Sequence, residues 1–185
     1  MDLRSNQISM LVGRRKAGKT YLGRQIINSS AFKKILLVDT FEHPDYTDFQ
    51  TISNDMLPRW KQGKKRILVT DQNDAGFEAI NASVKNTLII FEDCTKYIRW
   101  TLSKPLTGII FDSKQKNNDI VLMYHGFSFA PPQILSNVNY ITLFKIGEDM
   151  INYKNKIPNF DELYKEHKLI QASNNPYCKK TFLVN

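Results

Sequence analysis

Eight consecutive residues, Gly13-Arg14-Arg15-Lys16-Ala17-Gly18-Lys19-Thr20, place two glycines, a lysine and a hydroxyl at the spacing of a phosphate-binding loop. Gly13 and Gly18 let the backbone turn without a Cβ. Successive amides from Gly13 to Tyr21 can then point inward at phosphate oxygens, and the positive end of a following helix adds to their pull. In such a loop Lys19 reaches the β and γ phosphates of a nucleotide, and the Thr20 hydroxyl ligates magnesium. Arg14, Arg15 and Lys16 make the variable part of the loop basic; they either touch phosphate or a neighbouring subunit, or face solvent. ATP and Mg2+ are the ligands this arrangement predicts.

A second group of residues could complete a hydrolytic site. The apolar run Leu88-Ile89-Ile90-Phe91 delivers Glu92 and Asp93 to the end of a strand. There one carboxylate can hold the water shell of magnesium while the other polarises an attacking water. By position Glu92 takes the metal side and Asp93 the base. The commoner order is aspartate then glutamate, so the roles can be exchanged, and both acids join Thr20 in the expected metal set. The reading without chemistry is a pair of helix-capping acids. His125 ends a later strand, where a polar side chain can sense a γ-phosphate or serve a purely structural role; Gln133 is a weaker candidate for sensing.

The elements that would position these residues alternate along the chain. Gln7 to Val12 reads as a strand leading into the loop, and Tyr21 to Ile27 repeats its apolar residues at helical spacing. Ile35 to Asp39 is a short apolar run suited to a strand buried on both faces. Phe41 to Asn54 has no strong periodicity. Arg66 to Asp71 predicts a strand, with Asp71 or Asn73 capping a helix over 75–80. Asn86 to Asp93 is the most apolar strand. Thr95 to Lys114 predicts two helices broken near Ser103-Lys104-Pro105. Asp119 to His125 is a further strand, Pro131 to Leu135 a short helix, and Tyr140 to Lys145 the strand that closes the sheet. This alternation implies an α/β fold with a mostly parallel central sheet and a site at the strands' carboxyl ends. Residues 1–147 form the core; 148–185, with a helix over 161–170 and a strand-like piece over 181–184, read as a C-terminal appendage on the same domain.

Composition bounds the alternatives. A chain of 185 residues suits one domain, and 42% hydrophobic with 24% charged residues is ordinary for a soluble protein. No run approaches the ~20 apolar residues that span a bilayer. Met1-Asp2-Leu3-Arg4 leads into a polar segment rather than a signal peptide, so a cytoplasmic setting is expected, with Cys94 and Cys178 reduced. The net charge of +8 favours a polyanionic partner such as nucleic acid.

With these residues in hand, the chain resembles the FtsK/HerA superfamily of DNA-pumping P-loop ATPases, in particular its small viral genome-packaging members and the related zonular-occludens-toxin-like phage proteins. The resemblance spans roughly residues 7 to 147. It rests on the loop Gly13 to Thr20, the acid-tipped strand Leu88 to Asp93, the stretch Gly108 to His125, and the proline-containing segment Phe129 to Ile134 before Tyr140 to Lys145. It implies a three-layer P-loop NTPase fold of the RecA/ASCE-like kind and a homo-oligomeric ring, pentamer or hexamer. Such a ring threads DNA without regard to sequence, in the host cytoplasm or associated with the virion, possible partners being a capsid or portal-vertex protein. Lys61, Lys64, Lys65 and Arg66 are candidate DNA contacts.

Two positions depart from the family's pattern. Its members commonly carry an arginine in the basic turn before the polar-ended strand, reaching into the neighbouring subunit's site; here that turn offers Lys114 and Lys116, and Arg99 is the only arginine after Glu92. The trans-acting residue is therefore Arg99, a lysine such as Lys114, or Arg14 or Arg15 from the loop. The polar-ended strand finishes in His125 where relatives usually have glutamine or asparagine. Two other functions fit the same loop: an assembly or extrusion ATPase of the zonular-occludens type, and a small P-loop kinase. The scarcity of arginine in the C-terminal half argues against a kinase lid.

Overall fold

The computed structural model describes residues 6–98 and 100–184. Its elements run β1 (Ile8–Val12), α1 (Lys19–Ser29), β2 (Lys34–Asp39), β3 (Gln50–Thr51), β4 (Gly63–Leu68), α2 (Ala75–Ser83), β5 (Thr87–Phe91), α3 (Lys104–Phe111), β6 (Asp119–Tyr124), α4 (Pro132–Leu135), β7 (Tyr140–Leu143), α5 (Phe160–Ala172) and β8 (Lys180–Leu183). The strands make one sheet in the order β3-β4-β2-β5-β6-β1-β7-β8. Neighbours are parallel throughout except for β8, which runs antiparallel to β7.

The apolar strands are apolar because both faces are covered. Along β1, Met10 and Val12 join one core while Leu11 joins the other; along β2, Leu36 and Val38 alternate with Ile35 and Leu37 in the same way. The larger core receives Phe77 and Ile80 of α2, Leu106 and Ile109 of α3, Ile134 of α4 and Leu163 and Ile170 of α5. The smaller core receives Ile27 of α1, with Tyr46 and Phe49 from the excursion after β2. Three layers result, with α1 on one face and the remaining α-helices on the other.

Four expectations from the sequence are corrected here. β4 spans Gly63–Leu68 rather than 66–71. Its extent is set by pairing with β2, where Gly63 opposes Lys34 and Leu68 opposes Asp39, and only the two-residue β3 lies outside it, so lysines 64 and 65 reach solvent from a strand near the sheet's edge. The cap of α2 is Asp74, whose carboxylate accepts from Gly76 N at 2.7 Å, while Asp71 instead accepts from Asn73 N. Residues 95–114 hold a single α-helix, α3, preceded by a 3₁₀ turn at Cys94–Lys96. Tyr97, fully buried, donates its hydroxyl to the Glu92 carbonyl at 2.9 Å and holds the chain after the turn against the sheet. Finally, β7 does not close the sheet. Residues 180–183 pair along its free side, and Thr142 and Thr181 hydrogen-bond across that pairing at 2.8 Å.

The loop after β1 depends on close packing. A Cβ on Gly13 would lie 2.6 Å from Phe144 Cβ, an atom next to the backbone that cannot swing aside. Gly13→Ala is expected to destabilise the fold by about 1–3 kcal/mol, read as a lowered thermal midpoint; an unchanged midpoint would show that β1 and the segment after β7 are not held together as described.

Candidate functional site

Sheet order brings the chemistry together. β6 lies between β1 and β5, so the carboxyl ends of these strands present, side by side, the loop from Gly13, His125 and the acids Glu92 and Asp93. They line a cleft of ≈ 580 Å³ with Arg15, Lys16, Gly18, Lys19, Thr20 and Tyr21. Gly18 adopts φ 101° and Lys16 φ 62°, the left-handed turns that swing the loop into the first turn of α1. The loop is tied down by Gly13 N donating to Tyr124 O at 3.1 Å and Arg14 N to Lys145 O at 2.8 Å. Leu22 N makes the first bond of the helix, to Gly18 O. The amides of Lys19, Thr20 and Tyr21 therefore have no intrahelical acceptor, and they face the cleft as a helix N-terminus does.

Lys19 is only 7% exposed. Its ammonium donates to Gly13 O at 2.6 Å and Arg14 O at 3.2 Å and lies 3.2 Å from His125 Nδ1. Burial lowers its pKa to about 8 against the opposing pull of Glu92 and Asp93. A charged lysine donating to Nδ1 assigns His125 the Nε2–H tautomer, and Nε2 lies 3.0 Å from Asp93 Oδ1. His125 thus bridges the loop lysine and a strand-end acid.

The two acids face different surroundings because Asp93 turns through φ 46°. Glu92 Oε1 accepts from the Thr20 hydroxyl at 3.2 Å and Oε2 from the buried Tyr46 hydroxyl at 2.8 Å. Burial raises its pKa in spite of these donors. Asp93 pairs with His125 and with Lys96, whose Nζ is 3.1 Å from Oδ2. Burial would raise its pKa, but the hydrogen bonds from His125 and Lys96, with the charge of Lys96, outweigh that and hold it at about 2.

The remaining expected residues fall into three groups. Arg15, Lys16 and Tyr21 line the cleft, whereas Ala17 is packed inside the smaller core. Arg14 contributes backbone, its side chain being exposed, and neither it nor Gln133 lines the cleft. Lys114 sits in the turn between α3 and β6, at the opposite end of the sheet. Arg99 lies outside the described residues. Arg66 is a correction to the surface basic cluster: it is 3% exposed and donates to Tyr46 O at 2.7 Å. It braces the excursion that carries Tyr46, and it cannot reach a polyanion.

Four cleft residues had escaped sequence reasoning. Phe41, His43 and Asp45 come from the aperiodic excursion after β2, which offered no pattern to read. Lys96 stands three residues after Asp93, a spacing that could have suggested the pair. A fifth, Tyr177, comes from the far C-terminus.

A three-layer sheet with a glycine-rich loop after β1, and with one strand between that loop and the acid-tipped strand, defines the P-loop NTPase fold. Solved structures agree. The chain is similar to the genome packaging NTPase B204 from Sulfolobus turreted icosahedral virus 2 in complex with sulfate, at 14% identity and TM-score 0.77, covering 97% of this chain and 92% of that one. It is similar to the same protein in complex with AMPPCP, at 15% identity and TM-score 0.77, covering 96% and 92%. The N-terminal domain of zonular occludens toxin from Neisseria meningitidis is a more distant likeness, at 12% identity and TM-score 0.51 over 80% and 88%. No protein-family model matches the chain, and no curated protein does. Among the described residues no helix is long and apolar enough to cross a membrane.

The contacts Asp93 makes with Lys96 and His125 have a measurable consequence for stability. Its pKa falls from the ordinary 3.8 to about 2 in the folded chain, so the stabilisation is fully present above pH 3.8 and is lost as pH falls toward 2. A shift of that size corresponds to about 2 kcal/mol. Asp93→Asn should therefore lose about 2 kcal/mol less than wild type between pH 4 and pH 2 when unfolding is followed by denaturant titration. Identical losses in the two proteins would contradict the His125 and Lys96 contacts.

Proposed function

We propose that the chain binds ATP with magnesium, hydrolyses it, and uses the energy to move DNA, packaging a viral genome as a ring-shaped motor. The observation that carries this reading is the convergence of Lys19, Thr20, Glu92, Asp93 and His125 on the N-terminus of α1. The likeness to B204, a genome packaging NTPase solved with nucleotide analogues, supports the choice of substrate and task.

The donor set suits magnesium. The Thr20 hydroxyl and Glu92 Oε1 are hard oxygens 3.2 Å apart, and Mg2+ is ordinarily held by one or two such protein ligands together with phosphate oxygens and water. Thr20 and Glu92 would hold it, and it would neutralise charge developing on the terminal phosphate. Glu92 is oriented for this by Tyr46, which occupies its other oxygen.

The protein groups then act as follows. Lys19 gives up its loop carbonyls and His125 for phosphate oxygens, for which the free amides of α1 supply a ready cradle. His125 loses the donor at Nδ1 and can respond to the terminal phosphate, which makes it the sensor. Asp93 is the residue that orients the attacking water. With a pKa of about 2 it is a weak proton acceptor, but a loose phosphoryl-transfer transition state asks for positioning more than for base strength. Lys114, remote from the cleft of its own subunit, would act only in a neighbour's site, as a ring of five or six subunits allows; Arg99 is the alternative. Lysine lacks the planar fork of arginine, so turnover by Lys114 alone would be slow.

The net charge of +8 supports DNA as the polymer, contacted through phosphates by surface lysines such as Lys61, Lys64 and Lys65. Such a motor would work in the host cytoplasm or at the virion, against a capsid or portal-vertex protein. The core, 1–147, carries the catalytic parts, and the appendage over 148–185 borders the cleft. The likeness to the zonular occludens domain favours a second reading, an ATPase that extrudes phage particles, which would require a membrane partner.

Phosphate release, with and without DNA, tests the reading. DNA should stimulate release. Lys19→Ala should abolish ATP binding, whereas Glu92→Gln and Asp93→Asn should keep binding and lose turnover by about a hundredfold or more. Near-wild-type hydrolysis in both carboxylate variants would reject the site, and hydrolysis indifferent to DNA would reject the motor.

A further inference from the structure

The cleft has two aromatic ends, and the order of the sheet decides which one receives a base. Phe41 and His43 follow β2, beyond the acids of β5; Tyr177 precedes β8, on the other side of β1. The terminal phosphate of a nucleotide must lie on the side of Glu92 and Asp93, where water attacks. The nucleoside then extends the opposite way, past Gly18 toward β7 and β8. Tyr177 waits there. Its ring carbon Cδ1 lies 3.4 Å from where a Cβ on Gly18 would stand, so the ring borders the loop itself, yet Tyr177 is 62% exposed. An aromatic ring left open beside a phosphate loop is unused apolar surface at the place where a base would lie.

The backbone beneath Tyr177 is fixed even though the ring is open. Asn175 Oδ1 accepts from Tyr177 N at 2.9 Å, Ser173 Oγ accepts from Asn175 N at 3.1 Å, and Cys178 N returns to Asn175 O at 3.2 Å. Gln171 Nε2 donates to Ile146 O at 2.7 Å and Lys145 Nζ donates to Ser173 O, fastening the end of α5 to the segment after β7. Phe144, buried under Gly13 and Gly18, carries Lys179 over its ring at 6.0 Å. The turn over 173–179 is therefore held at both ends against the loop, and Tyr177 is presented with little freedom left to lose on binding.

We propose that Tyr177 is the stacking platform for the nucleotide's base, so that the C-terminal segment supplies the nucleoside half of the site whose phosphate half is the loop. The inference rests on the nucleotide-binding reading above. Stacking on a ring face tolerates any base, so Tyr177 adds affinity for the nucleoside without affecting the phosphates.

Binding of ATP and of inorganic tripolyphosphate, each with magnesium, by wild type, Tyr177→Ala and Tyr177→Phe tests this by calorimetry. Loss of one stacked base weakens ATP binding by about tenfold in Tyr177→Ala, with tripolyphosphate affinity unchanged within about twofold, and Tyr177→Phe retains wild-type affinity for both. Equal ATP affinity in Tyr177→Ala and wild type would overturn the proposal. So would a parallel loss of both ligands, which would make Tyr177 a support for the loop rather than a surface for the base. Failure of the wild-type chain to bind either ligand, or wild-type binding by Lys19→Ala, would instead overturn the nucleotide reading, and the platform with it.

Discussion

An ammonium group kept charged in a nearly dry place sets the conditions for everything around it. Lys19 is buried, and only a ring of acceptors makes that tolerable: two carbonyls of its own loop and the imidazole of His125. Two of these exist because Gly13 permits the chain to pass against Phe144, and the third because β6 ends beside β1. Burial costs the ammonium enough to lower its pKa to about 8, although Glu92 and Asp93 pull the other way.

The same topology separates two acids that are adjacent in sequence. Glu92 continues the direction of β5 toward Thr20 and Tyr46, while Asp93 turns away to His125 and Lys96. Their pKa values are driven apart, upward for the more buried glutamate and downward for the doubly paired aspartate. Contacts run from Lys19 through His125 to Asp93 and tie the glycine-rich loop to the acid.

Much of this was legible in the sequence, for reasons that differ by element. The strands β1, β2, β5, β6 and β7 were readable because burial on both faces demands uninterrupted apolar runs, and the loop because two glycines, a lysine and a hydroxyl residue stand at fixed spacing. The strand over 66–71 was expected, but the lysine-rich start of β4 concealed where it begins, since an element near the sheet's edge need not look apolar. The hydrogen bond from Tyr97 to the backbone carbonyl of Glu92, five residues earlier, leaves no trace in the apolar pattern. The contributions of Tyr46 and Tyr177 were illegible for a related reason: Tyr46 reaches Glu92 from within the core and Tyr177 reaches the cleft, each from a loop whose path is held by hydrogen bonds such as those of Arg66 and Asn175, and local periodicity records nothing of these.

A second cleft lies at the opposite end of the sheet from the loop. This cleft at the amino ends of the strands, ≈ 560 Å³, is lined by Phe32, Lys33, Lys34, Lys61, Asn86 and Asn117 among others, and its lysines could also attract an anion. Titration of the isotopically labelled protein with a non-hydrolysable ATP analogue and magnesium, followed through backbone amide resonances, separates the two directly. The largest shifts should fall on Lys16 to Tyr21 and extend to His125. Shifts centred on Phe32, Asn86 and Asn117, with the loop amides unmoved, would contradict the assignment of the nucleotide to the loop.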